Sequence, residues 1–319
     1  MNALESLRQV TTIVADTGSL ARIREVQPQD ATTNPSLILK AMSEPEGRAL
    51  ANAVQAGLPQ ASADARLEAL VVAFGLAILK LIPGRVSSEV DARLAFDVEA
   101  TVAQAMSMAE SYDHAGVPLS RVLIKLPATW EGIRAAEKLS LRGVACNMTL
   151  IFSMAQASAC ADAGVQLISP FVGRISDWFK QRGETWARAE DDPGVRFVRA
   201  VFEDYKARGV STEIMGASFR SVEQVMALAG CDLLTVSPDL LDQLAQRPAM
   251  TGPTPLQADT SPEAQGRALA APWRYLHESA FRYQLNDDAM ASEKLAEGIR
   301  LFARDGAQLL ALLASNTKE

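Results

Sequence analysis

Eight short apolar runs, rich in strand-forming residues, alternate with longer segments of helical period along most of this chain. The runs fall at 10–16, 29–34, 85–90, 121–126, 144–150, 165–171, 212–217 and 232–237. Between them the period changes. Leu67, Leu70, Val71, Phe74, Ile78 and Leu81 make one helical stripe, closed by Pro83-Gly84. Val98, Val102, Met106, Ala109 and Tyr112 make another, closed by Gly116, and Asp192 followed by Pro193 has the form of a capped helix start. Strands that alternate with helices pair in parallel, and eight such units fit a closed (β/α)8 barrel. An open doubly wound sheet is the competing architecture, but no GxGxxG follows a strand here.

Two stretches fall outside the repeat. Residues 251–262 are rich in Pro, Thr and Gly and read as a loop. A helical tail over about 287–314 carries Leu295, Ile299 and Phe302 on one face and is expected to lie across the barrel near its mouth. Residues 272–285 hold Trp273, Tyr275, Phe281 and Tyr283. With no repeat, low-complexity tract or flexible linker, residues 1–319 read as one domain.

Composition removes several function classes. The chain is 48% apolar and 22% charged, as expected of a globular protein, and its formal net charge of −7 argues against a general nucleic-acid binder. No apolar run approaches the roughly 20 residues of a membrane span, and the first residues lack a signal-peptide core. Cys146, Cys160 and Cys231 have no CxxC spacing and read as buried thiols of a cytoplasmic protein. Two histidines, His114 and His277, leave little room for a Ser-His-Asp triad or a multi-histidine metal site. No metal is required where a protein amine supplies the electron sink, and no cofactor is expected.

The most informative single residue is Lys125, in the apolar run Arg121-Val122-Leu123-Ile124-Lys125-Leu126-Pro127. Lysine is rarely buried, because its charge must leave water. An amine out of water gives up its proton more readily and becomes a nucleophile toward carbonyl carbon. The alternative is a strand-end lysine whose head reaches solvent. Other polar groups sit where barrels place chemistry, at the C-terminal ends of strands: Asp16, Asn34, Glu89, Asn147 with Thr149, and Ser169 with Phe171. Alternation puts Leu123 with Lys125, Asn147 with Thr149, and Ser169 with Phe171 on shared faces. Each has a plainer reading. Asp16 could form an Asx-turn, Asn34-Pro35 a helix start, Glu89 a salt bridge with Arg93 (for which Asp91 is the better candidate), and Thr149 and Ser169 could satisfy backbone groups. Lys80 is a useful contrast, because it lies off its helical stripe near a helix C-terminus.

Arg174 follows the sixth run and Arg220 the seventh, each after a glycine-containing turn with Gly173 or Gly216. Glycine lets backbone approach an anion, and guanidinium binds phosphate in bidentate fashion. Late-strand loops are where barrels hold phosphate. Surface arginines bridging to helix carboxylates are the other possibility.

These residues resemble the class I transaldolases of the pentose phosphate pathway. The resemblance runs through Val14-Ala15-Asp16-Thr17-Gly18, Thr32-Thr33-Asn34-Pro35-Ser36, Glu89-Val90-Asp91-Ala92-Arg93, Leu123-Ile124-Lys125-Leu126 and Cys146-Asn147-Met148-Thr149-Leu150. It continues in Ser169-Pro170-Phe171-Val172-Gly173-Arg174, Met215-Gly216-Ala217-Ser218-Phe219-Arg220 and Lys294-Leu295-Ala296-Glu297-Gly298-Ile299-Arg300. It implies a (β/α)8 barrel that moves a dihydroxyacetone unit from sedoheptulose 7-phosphate to glyceraldehyde 3-phosphate. The products would be erythrose 4-phosphate and fructose 6-phosphate. By the same resemblance Lys125 would form the Schiff base, and Glu89 would shuttle protons through a water held by Thr149. Asp16 would act as base at the donor C4 hydroxyl, and Asn34, Asn147 and Ser169 would bind hydroxyls. Arg174, Ser218 and Arg220 would hold phosphate. Phe171 shares the inward face with Ser169, so its ring is expected to border the reacting carbons. A homodimer acting on small sugar phosphates, with no nucleic-acid or membrane partner, is expected from the resemblance. Pro127 and the Ala-rich residues 54–66 depart from the family pattern without touching these motifs. A fructose 6-phosphate aldolase and a non-catalytic sugar-phosphate-binding barrel are the alternatives.

Overall fold

The computed structural model describes residues 1–249 and 255–315. A strand forms at each of the eight runs, β4 and β5 extending one residue past theirs: β1 (Thr12–Asp16), β2 (Asp30–Thr32), β3 (Val86–Glu89), β4 (Val122–Pro127), β5 (Cys146–Ile151), β6 (Leu167–Pro170), β7 (Glu213–Gly216) and β8 (Leu233–Val236). They close in chain order, every neighbouring pair parallel, with β8 returning to β1. The architecture is therefore the (β/α)8 barrel that the alternation predicts, with extra helices.

Strand alternation sorts the side chains. Ile124, Leu126, Met148, Ile168, Ile214 and Leu234 belong to the apolar layer shared with the surrounding helices. Val14, Leu123, Leu167, Met215 and Leu233 form a separate cluster inside the barrel, joined by Ala145. Below that plug, Arg85 reaches across the floor. Its guanidinium meets Asp30 Oδ2 at 3.0 Å and both Glu213 oxygens, at 2.6 and 3.1 Å. The partners come from β2 and β7, on different sides of the ring, so the bottom is closed by a charged network. Polar side chains remain above the plug, at the end where the strands finish.

The expected helices form over Ala63–Leu79, Val98–His114 and Pro193–Ala207. Asp192 caps the last of these, accepting from the backbone of Gly194 and Val195. Lys80 is the exposed residue that ends the first. Of the expected loop at 251–262, residues 251–254 lie outside the described residues; 255–261 carry no helix or strand, and a helix starts at Pro262. The C-terminal helix, Ala289–Ser315, packs on the helix Pro35–Ala41, on the helix after β6 and on β5. Its Leu295, Ile299 and Phe302 join Leu150, Phe152 and Phe171 in one apolar cluster, so it does cross the mouth. No helix among the described residues is long and apolar enough to cross a membrane.

Candidate active site

Lys125 lies inside the barrel, with a side chain only 4% exposed. Its Nζ donates to the main-chain oxygen of Thr33 at 3.1 Å and stands 3.0 Å from Glu89 Oε2. The register explains the pairing, because Glu89, Lys125 and Asn147 are lateral neighbours on β3, β4 and β5. The snorkelling alternative thus fails: this ammonium is held by a carbonyl and a carboxylate in the interior. Glu89 is equally buried, and beyond Lys125 neither of its oxygens has a donor. Burial pushes its carboxyl above the usual range, against the opposing attraction of Lys125 and Arg174. Asp91, not Glu89, pairs with Arg93, through a 2.8 Å contact to Nε.

Asp16 ends β1 at the same mouth. Burial raises its carboxyl too, again opposed by Lys125 and then Arg174. The turn after it is held by Thr17 Oγ1, which accepts from Ser19 N at 3.1 Å, so that bond of the turn does not engage the Asp16 carboxylate. Two carboxylates with raised affinity for protons, sharing one ammonium, are a recognised signature of acid–base sites.

A polar chain runs beside them. Ser169 Oγ donates to Asn147 Oδ1 at 2.6 Å, and Asn147 Nδ2 donates to Ser87 Oγ at 3.0 Å. These contacts fix the amide of Asn147. The next inward residue on β5, Thr149, has a buried hydroxyl with no partner. Just past it the pairing of β5 with β6 shifts register, and Leu150 takes a left-handed φ of 57°. Gln156 satisfies the displaced backbone, donating to the oxygens of Leu150 and Ala128 and accepting from Phe152 N. Asn34 is the N-cap of the helix Pro35–Ala41, its Oδ1 accepting from Leu37 N at 2.9 Å. Its amide donors are not used in that cap. Asn34, Glu89 and Phe302 also line a narrow side pocket running outward to Gln104 and Glu68.

Arg174 opens the helix Gly173–Lys180, and its guanidinium lies over two aromatic faces, 5.0 Å from the Phe171 centroid and 5.4 Å from that of Phe302. Burial, and then the neighbouring Arg220, makes its charge harder to keep. Arg220 is more open. It meets Asp177 at 2.8 Å and Ser218 Oγ at 3.3 Å. The helix-carboxylate alternative therefore applies to Arg220 but not to Arg174. Ser218 has a φ of 61°, a left-handed conformation that costs a non-glycine residue energy. Gly173 serves the packing of the two loops: its N–H donates to Ser218 O at 2.8 Å, and a Cβ would stand 2.2 Å from that oxygen.

Phe171 is buried, edge-on to Phe152 at 5.6 Å. The ring over the Lys125 ammonium is Phe302, 5.9 Å away. Sequence reasoning placed Phe302 on an apolar helix face but not at the site. It also missed Ser87, although Ser87 shares the inward face of β3 with Glu89. The Thr33 carbonyl has no side-chain signal to read. The three cysteines are buried, and burial pushes the thiols of Cys146 and Cys231 up to about 12, so neither offers a thiolate at neutral pH.

The family model described as Transaldolase/Fructose-6-phosphate aldolase matches residues 13–313. The chain belongs to that family. Its members are aldolases and transferases that work through a Schiff base. The match runs from within β1 through the other seven strands and most of the C-terminal helix, and so includes every site residue described above.

Proposed function

We propose that this protein is a transaldolase that moves a dihydroxyacetone unit between sugar phosphates, with Lys125 as the Schiff-base residue. The observation that carries the reading is the buried Lys125 ammonium, 3.0 Å from Glu89 and within the field of Asp16. The Lys125 amine adds to the donor C2 carbonyl, and loss of water gives an iminium. Asp16 takes the proton of the C4 hydroxyl, the C3–C4 bond breaks, and its electron pair flows into the iminium to leave an enamine. The shortened aldehyde departs. The enamine then attacks the acceptor aldehyde, the new alkoxide takes a proton back from Asp16, and hydrolysis frees Lys125.

Glu89 is within reach of Nζ, and its raised carboxyl suits a group that both gives and takes protons as water leaves and returns. The unpartnered Thr149 hydroxyl suits a hold on that water. Asn34, Asn147 and Ser169 are suited to the hydroxyls of the three-carbon unit, and retention of that unit is what distinguishes transfer from cleavage. Arg174, Ser218 and Arg220 would take the phosphate. The apolar cluster containing Phe171 and Phe302 favours transfer over simple aldol cleavage, because it limits the water available to protonate the enamine.

Borohydride treatment with fructose 6-phosphate should add a reduced three-carbon unit to the peptide containing Lys125. Product analysis should then show fructose 6-phosphate and erythrose 4-phosphate formed from sedoheptulose 7-phosphate and glyceraldehyde 3-phosphate. Adduct on another lysine would sink the assignment of Lys125. Free dihydroxyacetone as the main product in the presence of acceptor would favour the aldolase instead.

A further inference from the structure

Arg174 is an unusual cation. Among the described residues no carboxylate comes within ion-pair distance of it, and its Nη1 is buried without a hydrogen-bond partner. Two π faces hold it, one from the end of β6 (Phe171) and one from the C-terminal helix (Phe302). An aromatic face attracts a guanidinium without occupying its N–H donors. A carboxylate in the same place would consume those donors and repel an anionic ligand.

Phe302 is the residue this arrangement turns on. It is 1% exposed, and its ring faces both the Arg174 guanidinium and the Lys125 ammonium. The C-terminal helix is shaped to bring it there. Gly298, one turn earlier, has no side chain where a Cβ would stand 2.6 Å from Leu150 Cδ2 and 3.1 Å from Arg174 Nη1. Asp305, nearly one turn later, accepts a hydrogen bond from Ser36 beside the Asn34 cap. The helix is thus close-fitted at Arg174 and tied to the first turn of the helix after β2.

We propose that Phe302 is a positioning residue: its ring holds Arg174, with N–H donors free, for the phosphate of the substrate, at a fixed spacing from Lys125. The proposal rests on the phosphate role of Arg174 and the Schiff-base role of Lys125 given above. Phe302→Leu keeps apolar bulk and removes the π face. Its KM for fructose 6-phosphate as donor should rise about tenfold, the scale of a desolvated cation–π contact. Its KM for unphosphorylated fructose should change less than about twofold by the same reasoning. Phe302→Tyr, which keeps the face, should restore most of the preference. Thermal melting and borohydride labelling of Lys125 report whether each variant folds and forms the imine; Phe302→Met replaces the Leu variant if that one does not fold. A KM ratio unchanged from wild type, or an equal rise for both donors, in a variant that labels at Lys125 overturns the proposal. A wild-type protein that fails to label at Lys125, or shows no preference for phosphorylated donors, removes the reading of the site and the proposal with it.

Discussion

Lys125→Met should reveal the buried ion pair through the pH dependence of stability, independently of turnover. Methionine keeps the linear chain and removes the ammonium. Glu89 is then left 2% exposed with no donor to either oxygen. Removing one partner of a buried pair costs about 3–5 kcal/mol when the remaining charge cannot escape. Glu89 can escape by taking up a proton. Burial already raises its carboxyl, and Lys125 is the largest influence opposing that rise, so the variant carboxyl sits higher still. The sign follows from linkage. A carboxyl raised in the folded state binds a proton that the unfolded chain does not. Its stabilising contribution is complete below the unfolded value of about 4.3 and is lost as pH climbs through the folded value.

The melting temperature of Lys125→Met should therefore lie close to wild type near pH 5 and fall progressively behind by pH 8. At about 2.1 cal/mol/K of unfolding entropy per residue, a 3–5 kcal/mol penalty corresponds to a lag of roughly 5–7 °C at the upper end. Calorimetric scans across that range, on wild type, Lys125→Met and Lys125→Met/Glu89→Gln, measure it. The double variant should lose most of the slope; what remains belongs to Asp16, which the same ammonium holds down. A gap between single variant and wild type that is constant with pH would refute the account of Glu89 as a carboxyl whose proton affinity Lys125 lowers.

Arg174→Ala and Arg220→Ala should both weaken phosphorylated substrates and leave unphosphorylated fructose nearly unaffected. Each hydrogen bond to a charged group is worth about 1.5–3 kcal/mol. Arg220 shares its charge with Asp177 and is 42% exposed, so its loss should be the smaller, about tenfold in KM, and a larger effect from Arg220 would contradict the geometry. Gly173→Ala should lower activity on phosphorylated donors, because its Cβ would displace the Ser218 carbonyl and with it the loop bearing Arg220; a variant with unchanged KM would show that loop to be dispensable. Phe171→Tyr should raise the ratio of free dihydroxyacetone to transferred product severalfold by bringing a hydroxyl into the apolar wall. An unchanged ratio in a folded, imine-forming variant would make Phe171 a packing residue only.

The barrel was legible because its signal is periodic. Each run alternates inward and outward residues, and each stripe between runs has a helical period, so strand and helix could be told apart without long-range information. Run ends such as Val10 and Arg85 were less legible, since an apolar or long side chain at a strand start serves a turn or the barrel floor equally well. Within the site, residues that break the apolar pattern of a strand stood out: Lys125, Asn147 and Glu89. What did not stand out was anything whose role depends on closure of the ring. Ser87 is an ordinary strand serine until Asn147 arrives from β5. Phe302 is an ordinary apolar helix residue until the C-terminal helix crosses the mouth. The Asp177 partner of Arg220 is one of many helix carboxylates until the two loops meet.

The coupling of both carboxylates to Lys125 has a chemical consequence under the proposed mechanism. The ammonium opposes the raising of Glu89 and of Asp16 alike. An iminium carries the same positive charge at nearly the same place, so both groups remain held down while the donor is bound. Cleavage of the C3–C4 bond sends an electron pair into the iminium and removes that charge. The opposition to burial is then weakened, and the affinity of Asp16 for a proton rises further just as it receives one from the C4 hydroxyl. Bond breaking and proton uptake therefore favour each other. When the enamine attacks the acceptor, the cation returns, Asp16 is held down again, and its proton goes to the new alkoxide. A more exposed Asp16 would lose this coupling, because water would screen it from the change at Lys125. The burial that makes the pair costly in the resting protein is what lets one carboxylate act as base in the first half of the reaction and as acid in the second.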